Sequence, residues 1–178
     1  MQTQDAKEVI THYLSDSAKH GEFTAQPGTV SILKEHKLAE SIIYIVSYIA
    51  AQQQLYACIS LRQSETGSLT FNGFMMMGGC LISDFSEKLS PQIAYVQSSS
   101  PHSSFVALAI MQNEEQVTAA RIRDNHGYVA RSQLENSAAL FLASQQIHRP
   151  LGVELLDDEN NVVLQKTLGE LRPPIRHE

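Results

Sequence analysis

Histidine has the widest chemical range of any residue type in this chain, because its side chain binds metals and exchanges protons near neutral pH. Seven histidines are present, at His12, His20, His36, His102, His126, His148 and His177. No two of them have the HxH, HxxxH or HExxH spacing that places two metal ligands side by side on one element. We therefore interpret each as an ordinary surface or turn histidine, and we predict neither a metal site nor a structural metal.

A second set of reactive residue types is the serine-rich run Ser98–Ser104, which contains His102. Serine and histidine can act as nucleophile and general base, but such a triad is assembled by the fold and not by adjacency in sequence. The Gly-x-Ser-x-Gly pattern of a nucleophile elbow does not occur in the chain. A polar loop between Val96 and Phe105 explains the run, so we predict no catalytic residue and favour a protein that is not an enzyme.

The acidic run Asp157–Asn161 offers carboxylate and amide oxygens, which are the ligands that Ca²⁺ prefers. It lacks the alternating ligand spacing and the glycine of an EF-hand loop. It also lies between the apolar runs 153–156 and 162–164. We interpret it as a solvated hairpin turn, with a weak Ca²⁺ site as the alternative.

The segment Gly73–Gly79 carries three successive methionines, Met75, Met76 and Met77. It is not a phosphate-binding loop, because no Gly-Lys-Ser/Thr follows, and we predict no cofactor. Successive side chains of a strand alternate between its faces, so at least one methionine must point away from the buried face. The methionines either fill irregular space between two modules or form an adaptable contact surface for a protein partner or a second copy of the chain.

One helix and a series of short β-rich runs must position these residues. Apolar residues at helical spacing predict an amphipathic helix over Asp5–Lys19. Four strands are predicted after it, at Val30–His36, Ser41–Ala50, Leu55–Arg62 and Ser68–Met77. The second of these is apolar at both parities, which indicates a central strand or one covered on both faces. We predict that the helix packs on this antiparallel meander as a first domain, residues 1–88.

Seven further candidate strands follow the polar segment Ser86–Pro91, where we place a domain boundary. They are Ile93–Gln97, Ser104–Met111, Gln116–Arg123, Tyr128–Ser132, Ala138–Ala143, Leu151–Leu156 and Val162–Lys166. Their number and close turns predict an immunoglobulin-like β-sandwich over residues 89–178. The Cys…Trp…Cys pattern of that fold is missing, because the chain has no Trp, and residues 138–144 could instead form a helical turn. The predicted class is mainly β, and α+β overall.

Composition limits the class of protein. With 43% hydrophobic and 18% charged residues, the chain can bury a core and is not disordered by composition. A net charge of -6 does not attract phosphate backbones, so we predict no nucleic-acid partner. We see neither a membrane span nor a signal peptide, and we expect a cytoplasmic protein, or a secreted or anchored one if an N-terminal segment was removed. Cys58 and Cys80 are too few for a disulfide scaffold, and whether they are bridged stays open.

The function that these patterns favour is interaction or ligand binding without catalysis, with Met75–Met77 as the candidate interaction surface. The alternative is a small-molecule pocket, with or without catalysis, between the N-terminal helix and its curved sheet. The residues that would line this pocket are Tyr13, Tyr44, Tyr48 and Phe74. The order of a helix, a meander and a sandwich that ends in the segment 150–163 resembles small bacterial proteins, but this pattern is generic to β-sandwiches and implies no activity. The ligand, the partner and the oligomeric state stay open.

Overall fold

Antiparallel strands dominate the protein. The computed structural model describes residues 5–82, 91–111 and 116–169. Strands make up 58% of these residues, together with two short α-helices, which confirms the predicted mainly β, antiparallel class. In this part of the chain, no helix is both long enough and apolar enough to cross a lipid bilayer.

The predicted N-terminal helix is two helices, α1 (Ala6–Leu14) and α2 (Ser17–His20), followed by a 3₁₀ turn over Gly21–Phe23. The Asp5 carboxylate caps α1 by accepting from the Lys7 amide at 2.9 Å. Asp16 caps α2 in the same way. An N-cap residue has extended rather than helical backbone angles. Asp16 therefore divides the segment that the sequence predicts as one continuous helix.

Eleven strands follow in the described residues. They are β1 Ser31–Lys37, β2 Ser41–Ala50, β3 Gln53–Gln63, β4 Leu69–Leu81, β5 Gln92–Ser100, β6 Ser103–Met111, β7 Ala119–Arg123, β8 Val129–Gln133, β9 Ala138–Ala143, β10 Leu151–Leu156 and β11 Val162–Leu168. Three sheets result, with the strand orders β1-β2-β3-β4, β11-β10-β7-β8 and β5-β6-β9. Each predicted strand has a counterpart. The bounds of β2, β9 and β10 are as predicted and the ends of the others are shifted, and residues 138–143 form a strand rather than a helical turn.

The first sheet is organised around β2, which pairs with β1 on one side and β3 on the other. Residues 43–48 of β2 are all buried, as the apolar residues at both parities indicate. Ile10 and Leu14 of α1 belong to the same core cluster as Tyr48 of β2 and Ile59 of β3. The Leu14 carbonyl accepts from the Ala25 amide at 2.9 Å, which ties the end of α1 to the chain leading into β1.

Register shifts occur on outer strands of the two four-stranded sheets. On β1 the shift leaves Leu33 as an extra residue opposite β2. On β4 two shifts leave Asn72 and Met77 as extra residues opposite β3. On β11 a shift leaves Val163 as an extra residue opposite β10. The inner pairs β2–β3 and β7–β10 run without a shift, so the irregular pairing is confined to the margins of these sheets.

The chain divides into two compact units. Unit 1 consists of Met1–Val96, Ala107–Asn113 and Glu135–Leu140, and unit 2 of Gln97–Val106, Glu114–Leu134 and Phe141–Glu178. Strands β5, β6 and β9 each contribute residues to both units. Residues 86–90, in which the sequence predicts a boundary, lie outside the described residues. The division into domains 1–88 and 89–178 therefore stays a prediction.

The two cysteines are buried and are not joined in a disulfide, Cys58 on β3 and Cys80 on β4. Burial raises the pKa of the Cys58 thiol to about 12. Because the thiolate is the reactive form of cysteine, Cys58 is chemically quiet at neutral pH. The first sheet is thus held by packing and strand pairing, without a disulfide between these residues.

Candidate functional site

Asp124 connects a hairpin turn to a second loop of unit 2. The turn follows β7 and is closed by the Asp124 amide, which donates to the Tyr128 carbonyl at 3.0 Å. The carboxylate oxygen Oδ1 accepts from the amides of His126 and Tyr128, each at 2.9 Å. The other oxygen, Oδ2, accepts from the amide of His148 at 2.9 Å. One acidic side chain therefore fixes the β7–β8 turn and the loop before β10 together.

The Asp124 carboxylate is ionised although its side chain has no solvent exposure. Burial by itself raises the pKa of a carboxyl group, because it disfavours the charged form. The hydrogen bonds from the amides of His148, Tyr128 and His126 and from the His148 ring outweigh burial and lower the pKa of Asp124 to about 2. At neutral pH the site thus contains a fixed negative charge held mainly by peptide N–H groups.

Two histidine rings stand beside this carboxylate. The rings of His126 and His148 are stacked, with centroids 3.6 Å apart and planes 22° from parallel. Nδ1 of His148 lies 3.3 Å from Oδ2 of Asp124. One potential ligand atom from each of the three residues lies within 4.8 Å of the other two. We call Asp124, His126 and His148 the Asp–His cluster.

The position of His148 is set by its neighbour Ile147, whose side chain is buried. The Ile147 amide donates to Oγ of Ser104 at 3.1 Å. Its carbonyl accepts from Nε2 of Gln97 at 2.8 Å and from Oγ of Ser99 at 2.7 Å. These three side chains come from β5 and β6, so ordered strands hold the backbone beside the Asp–His cluster in place.

A cavity of about 300 Å³ opens next to this loop. It is lined by Gln97, Ser99, Gln146, Ile147, His148 and Arg149. Because the lining is mostly polar, we call this space the polar cavity. Arg149 places a guanidinium at its wall, where Nη2 donates to the Gln97 carbonyl at 3.2 Å. His148 belongs both to this wall and to the Asp–His cluster.

Gln97, one of the residues that line the polar cavity, has an acceptor without a partner among the described residues. Its residue is 7% exposed, and both protons of Nε2 are taken, by the Ile147 carbonyl and by Oγ of Ser99. The amide orientation follows from the chemistry, because a carbonyl such as that of Ile147 can only accept. Oε1 of Gln97 is consequently buried with no partner among the described residues. Such an unpaired acceptor costs about 1–3 kcal/mol, so an N–H or O–H donor that reached Oε1 would stabilise the protein.

The hydrogen bonds of Ser99 and Asp124 limit the chemistry open to these two side chains. A serine nucleophile needs a base that takes its proton, whereas the Ser99 hydroxyl donates to the Ile147 carbonyl. The Asp124 carboxylate is engaged by three amides and so is not a free general base. The Asp–His cluster, with two imidazoles and a carboxylate, is suited to a cation. The polar cavity is suited to a small ligand.

The methionines singled out in the sequence lie on β4 in unit 1. Met75 is half-buried, Met76 is 41% exposed and Met77 is 7% exposed. Met76 pairs with Ala57 of β3, and Met77 is the extra residue next to it. Of the three, Met76 therefore presents its side chain to solvent, as alternation along a strand requires.

The four residues predicted to line a pocket gather in one apolar cluster of unit 1. Tyr44 and Tyr48 are buried in its core, and Tyr13 and Phe74 pack against it. The rings of Tyr13 and Phe74 are 5.8 Å apart. The Tyr48 hydroxyl is buried without a partner among the described residues, and burial raises the pKa of Tyr48 to about 12. A ligand pocket among these residues stays a prediction.

Sequence reasoning misses Asp124 and Gln97, and it sets His126 and His148 aside because no local spacing links them. One signal was available: Asp-Asn-His-Gly is a pattern in which an aspartate accepts from the amide two residues later. His148, however, is 24 positions from Asp124. A periodic sequence pattern cannot reveal the contact between Asp124 and His148, because that contact depends on the path of the loop after β9.

The interpretation of this site rests on the contacts, burial and charges described above, and comparison with known proteins adds nothing to it. No model of a known protein family matches the chain, and the curated proteins searched include none with significant similarity to it.

Proposed function

We propose that the protein is a non-enzymatic binding protein that takes a small polar ligand in the polar cavity of unit 2. The observation that carries this proposal is the polar cavity, whose lining includes Gln97, a residue with a buried acceptor that has no partner among the described residues. Ligand sites are concave and carry a few convergent polar groups, within volumes of about 300–1,000 Å³. The cavity, at about 300 Å³, is suited to the smallest ligands of this range.

The chemistry of the lining selects the class of ligand. Oε1 of Gln97 needs a hydrogen-bond donor, and the Arg149 guanidinium favours a carboxylate. A small acid that also carries a hydroxyl or amino group satisfies both. Hydroxy acids and amino acids are therefore the ligands that we expect to bind.

The first test is calorimetric titration of the full chain with L-lactate and L-serine as probes. We expect at least one probe to bind, and Arg149→Ala to weaken its affinity by about tenfold or more, because a charged hydrogen bond contributes about 1.5–3 kcal/mol. Arg62→Ala, which removes an exposed arginine of β3 in unit 1, is the matched control and should bind as the wild type does. If neither probe binds, or if Arg149→Ala binds equally well, the proposed ligand class is wrong.

A second candidate function is self-association through the exposed side chains of β4. Phe71, Met76 and Leu81 of this strand are 39%, 41% and 49% exposed, a high fraction for large apolar residues. Exposed apolar side chains that cluster on one element are typical of contact surfaces. This interpretation keeps the methionines as the interaction surface, with a second copy of the chain as the partner.

Replacing Met76 with glutamate should shift the protein towards the monomer while hardly changing its melting temperature, because the charge is introduced at a solvent-exposed position. Light scattering measures the oligomeric state. Leu142→Glu, at another exposed apolar residue, is the control and should leave that state unchanged. A wild type that is already monomeric would contradict self-association, as would a Met76→Glu variant that keeps the oligomeric state and melts earlier.

The finer architecture belongs to the same proposal. We infer that α1 covers the first sheet, an arrangement supported by the shared core cluster of Ile10, Leu14 and Tyr48. We also infer that β5–β11 form an immunoglobulin-like sandwich. Lettered A, B, C, C′, E, F and G in chain order, these strands give the sheets G-F-C-C′ and A-B-E. In immunoglobulin-like domains C′ likewise extends the G-F-C sheet, which favours this topology.

A further inference from the structure

We propose that Asp124, His126 and His148 form a binding site for a divalent transition-metal ion, with Zn²⁺ as the ion of best fit. The proposal goes beyond the cavity ligand, because it concerns the Asp–His cluster and needs no occupant in the polar cavity. It rests on the identity of the three side chains, on the distances between them and on the rigidity of the backbone that carries them.

The separation of Nδ1 of His148 and Oδ2 of Asp124 is the first argument. It is 3.3 Å, whereas a charge-assisted N–H···O⁻ hydrogen bond is usually about 2.7–2.9 Å long. Two ligand atoms bound to one tetrahedral zinc at about 2.0–2.1 Å lie about 3.3–3.4 Å apart. The observed distance is that of a long hydrogen bond between the His148 ring and Asp124, and it also matches the edge of a zinc coordination tetrahedron.

The stacked rings give the second argument. The centroids of His126 and His148 are 3.6 Å apart, so two imidazole rings, each with a nitrogen that can bind a metal, lie side by side. The ionised Asp124 carboxylate adds a negative charge within 4.8 Å of both ligand nitrogens.

Preorganisation is the third argument. The backbone of the β7–β8 turn and that of the loop before β10 are both fixed by the Asp124 carboxylate. The loop is fixed again by the three side chains that bind Ile147. Binding then requires small movements of two partly exposed imidazole rings, so little conformational entropy is lost.

The ligand set also selects the class of ion. Two imidazoles and a carboxylate suit Zn²⁺ and neighbouring transition metals, whereas Mg²⁺ and Ca²⁺ prefer oxygen ligands alone. With three protein ligands, a tetrahedral zinc keeps a fourth position for water or another small ligand. A bound ion would therefore be exchangeable, and the fold would not depend on it.

The test uses the full chain, purified without an affinity tag, stripped with a chelator and titrated with ZnCl₂ in a calorimeter. We expect one Zn²⁺ per chain, and no comparable heat from MgCl₂ or CaCl₂. CoCl₂ should give the visible d–d absorption of four-coordinate Co²⁺, a signal that a nonspecific surface contact does not produce. The key variant is His126→Ala, because His126 is exposed and its amide can still donate to Asp124.

His126→Ala should lower the affinity for Zn²⁺ by about tenfold or more, since even residues that only support a metal ligand contribute about 10–100-fold. His102→Ala removes an exposed turn histidine elsewhere and should bind Zn²⁺ as the wild type does. Circular dichroism checks that both variants fold. The proposal is overturned if the wild type does not bind Zn²⁺, if folded His126→Ala binds it with unchanged affinity, or if His102→Ala loses binding equally.

Discussion

Replacing Asp124 with alanine should lower the free energy of unfolding by about 3 kcal/mol, because it leaves three amides without their acceptor. Those amides belong to His126, Tyr128 and His148. Because the lost hydrogen bonds hold both a hairpin turn and a distant loop, we expect the substitution to destabilise unit 2 as a whole. Urea denaturation followed by circular dichroism measures it. Asp158→Ala, at an exposed turn carboxylate, is the control and should change stability by less than about 0.5 kcal/mol.

The same residue predicts a pH dependence. The pKa of Asp124 is about 2 in the folded protein against an ordinary 3.8, so the unfolded chain binds the proton more readily. Its contribution to stability is therefore fully present above the ordinary pKa and is lost as the pH falls through about 2. The stability difference between the wild type and Asp124→Ala should shrink between about pH 4 and pH 2. A difference that stays constant over this range would show that the carboxylate charge is not what holds the two loops.

Leu14→Ala should lower the free energy of unfolding by about 2–5 kcal/mol, the usual range for deleting a buried leucine side chain. Leu14 is 0% exposed and shares its core cluster with residues of β2 and β3. The helix that carries it is nine residues long, too short to be stable by itself. We therefore expect the stability of α1 to come from the apolar contacts of Leu14 in this core cluster.

The matched control for Leu14 is Leu38→Ala, the same change at a residue that is 38% exposed. It should lower stability by less than about 1 kcal/mol, since surface substitutions have small effects. Thermal unfolding of both variants, with the helical signal followed by circular dichroism, separates the two outcomes. Equal effects of the two substitutions would mean that α1 contributes little to the core of unit 1.

The strands were predictable because burial leaves a local record in the sequence. β2 is apolar at every position from Ile42 to Val46, and the structure makes it a central strand. The helix break was harder to predict, because neither glycine nor proline separates α1 from α2 and only the cap at Asp16 marks the break. Capping depends on local hydrogen bonds between one side chain and a nearby helical amide. A pattern read over several turns of a helix does not reveal it.

The candidate site was beyond prediction for a different reason. That at least one of Met75, Met76 and Met77 is exposed could be expected, since alternation is a property of a single strand. The Asp–His cluster instead joins two loops, and Gln97 has an unused acceptor because Ile147 and Ser99 occupy its amide protons. Such relations are set by tertiary structure. Residue types alone do not distinguish this glutamine or these histidines from those on an ordinary surface.

The extra residues on β1, β4 and β11 bear on how the protein avoids aggregation. A long outer strand presents unpaired amides and carbonyls, to which another chain can add in the manner of an amyloid template. A bulge bends the strand and breaks the regular spacing of those groups, so a straight incoming strand finds only a few of them in register. The inner strands keep the regular pairing that stability requires. We therefore expect these bulges to disfavour pairing between the outer strands of two copies of the chain, while the inner strands of the two four-stranded sheets keep their regular pairing.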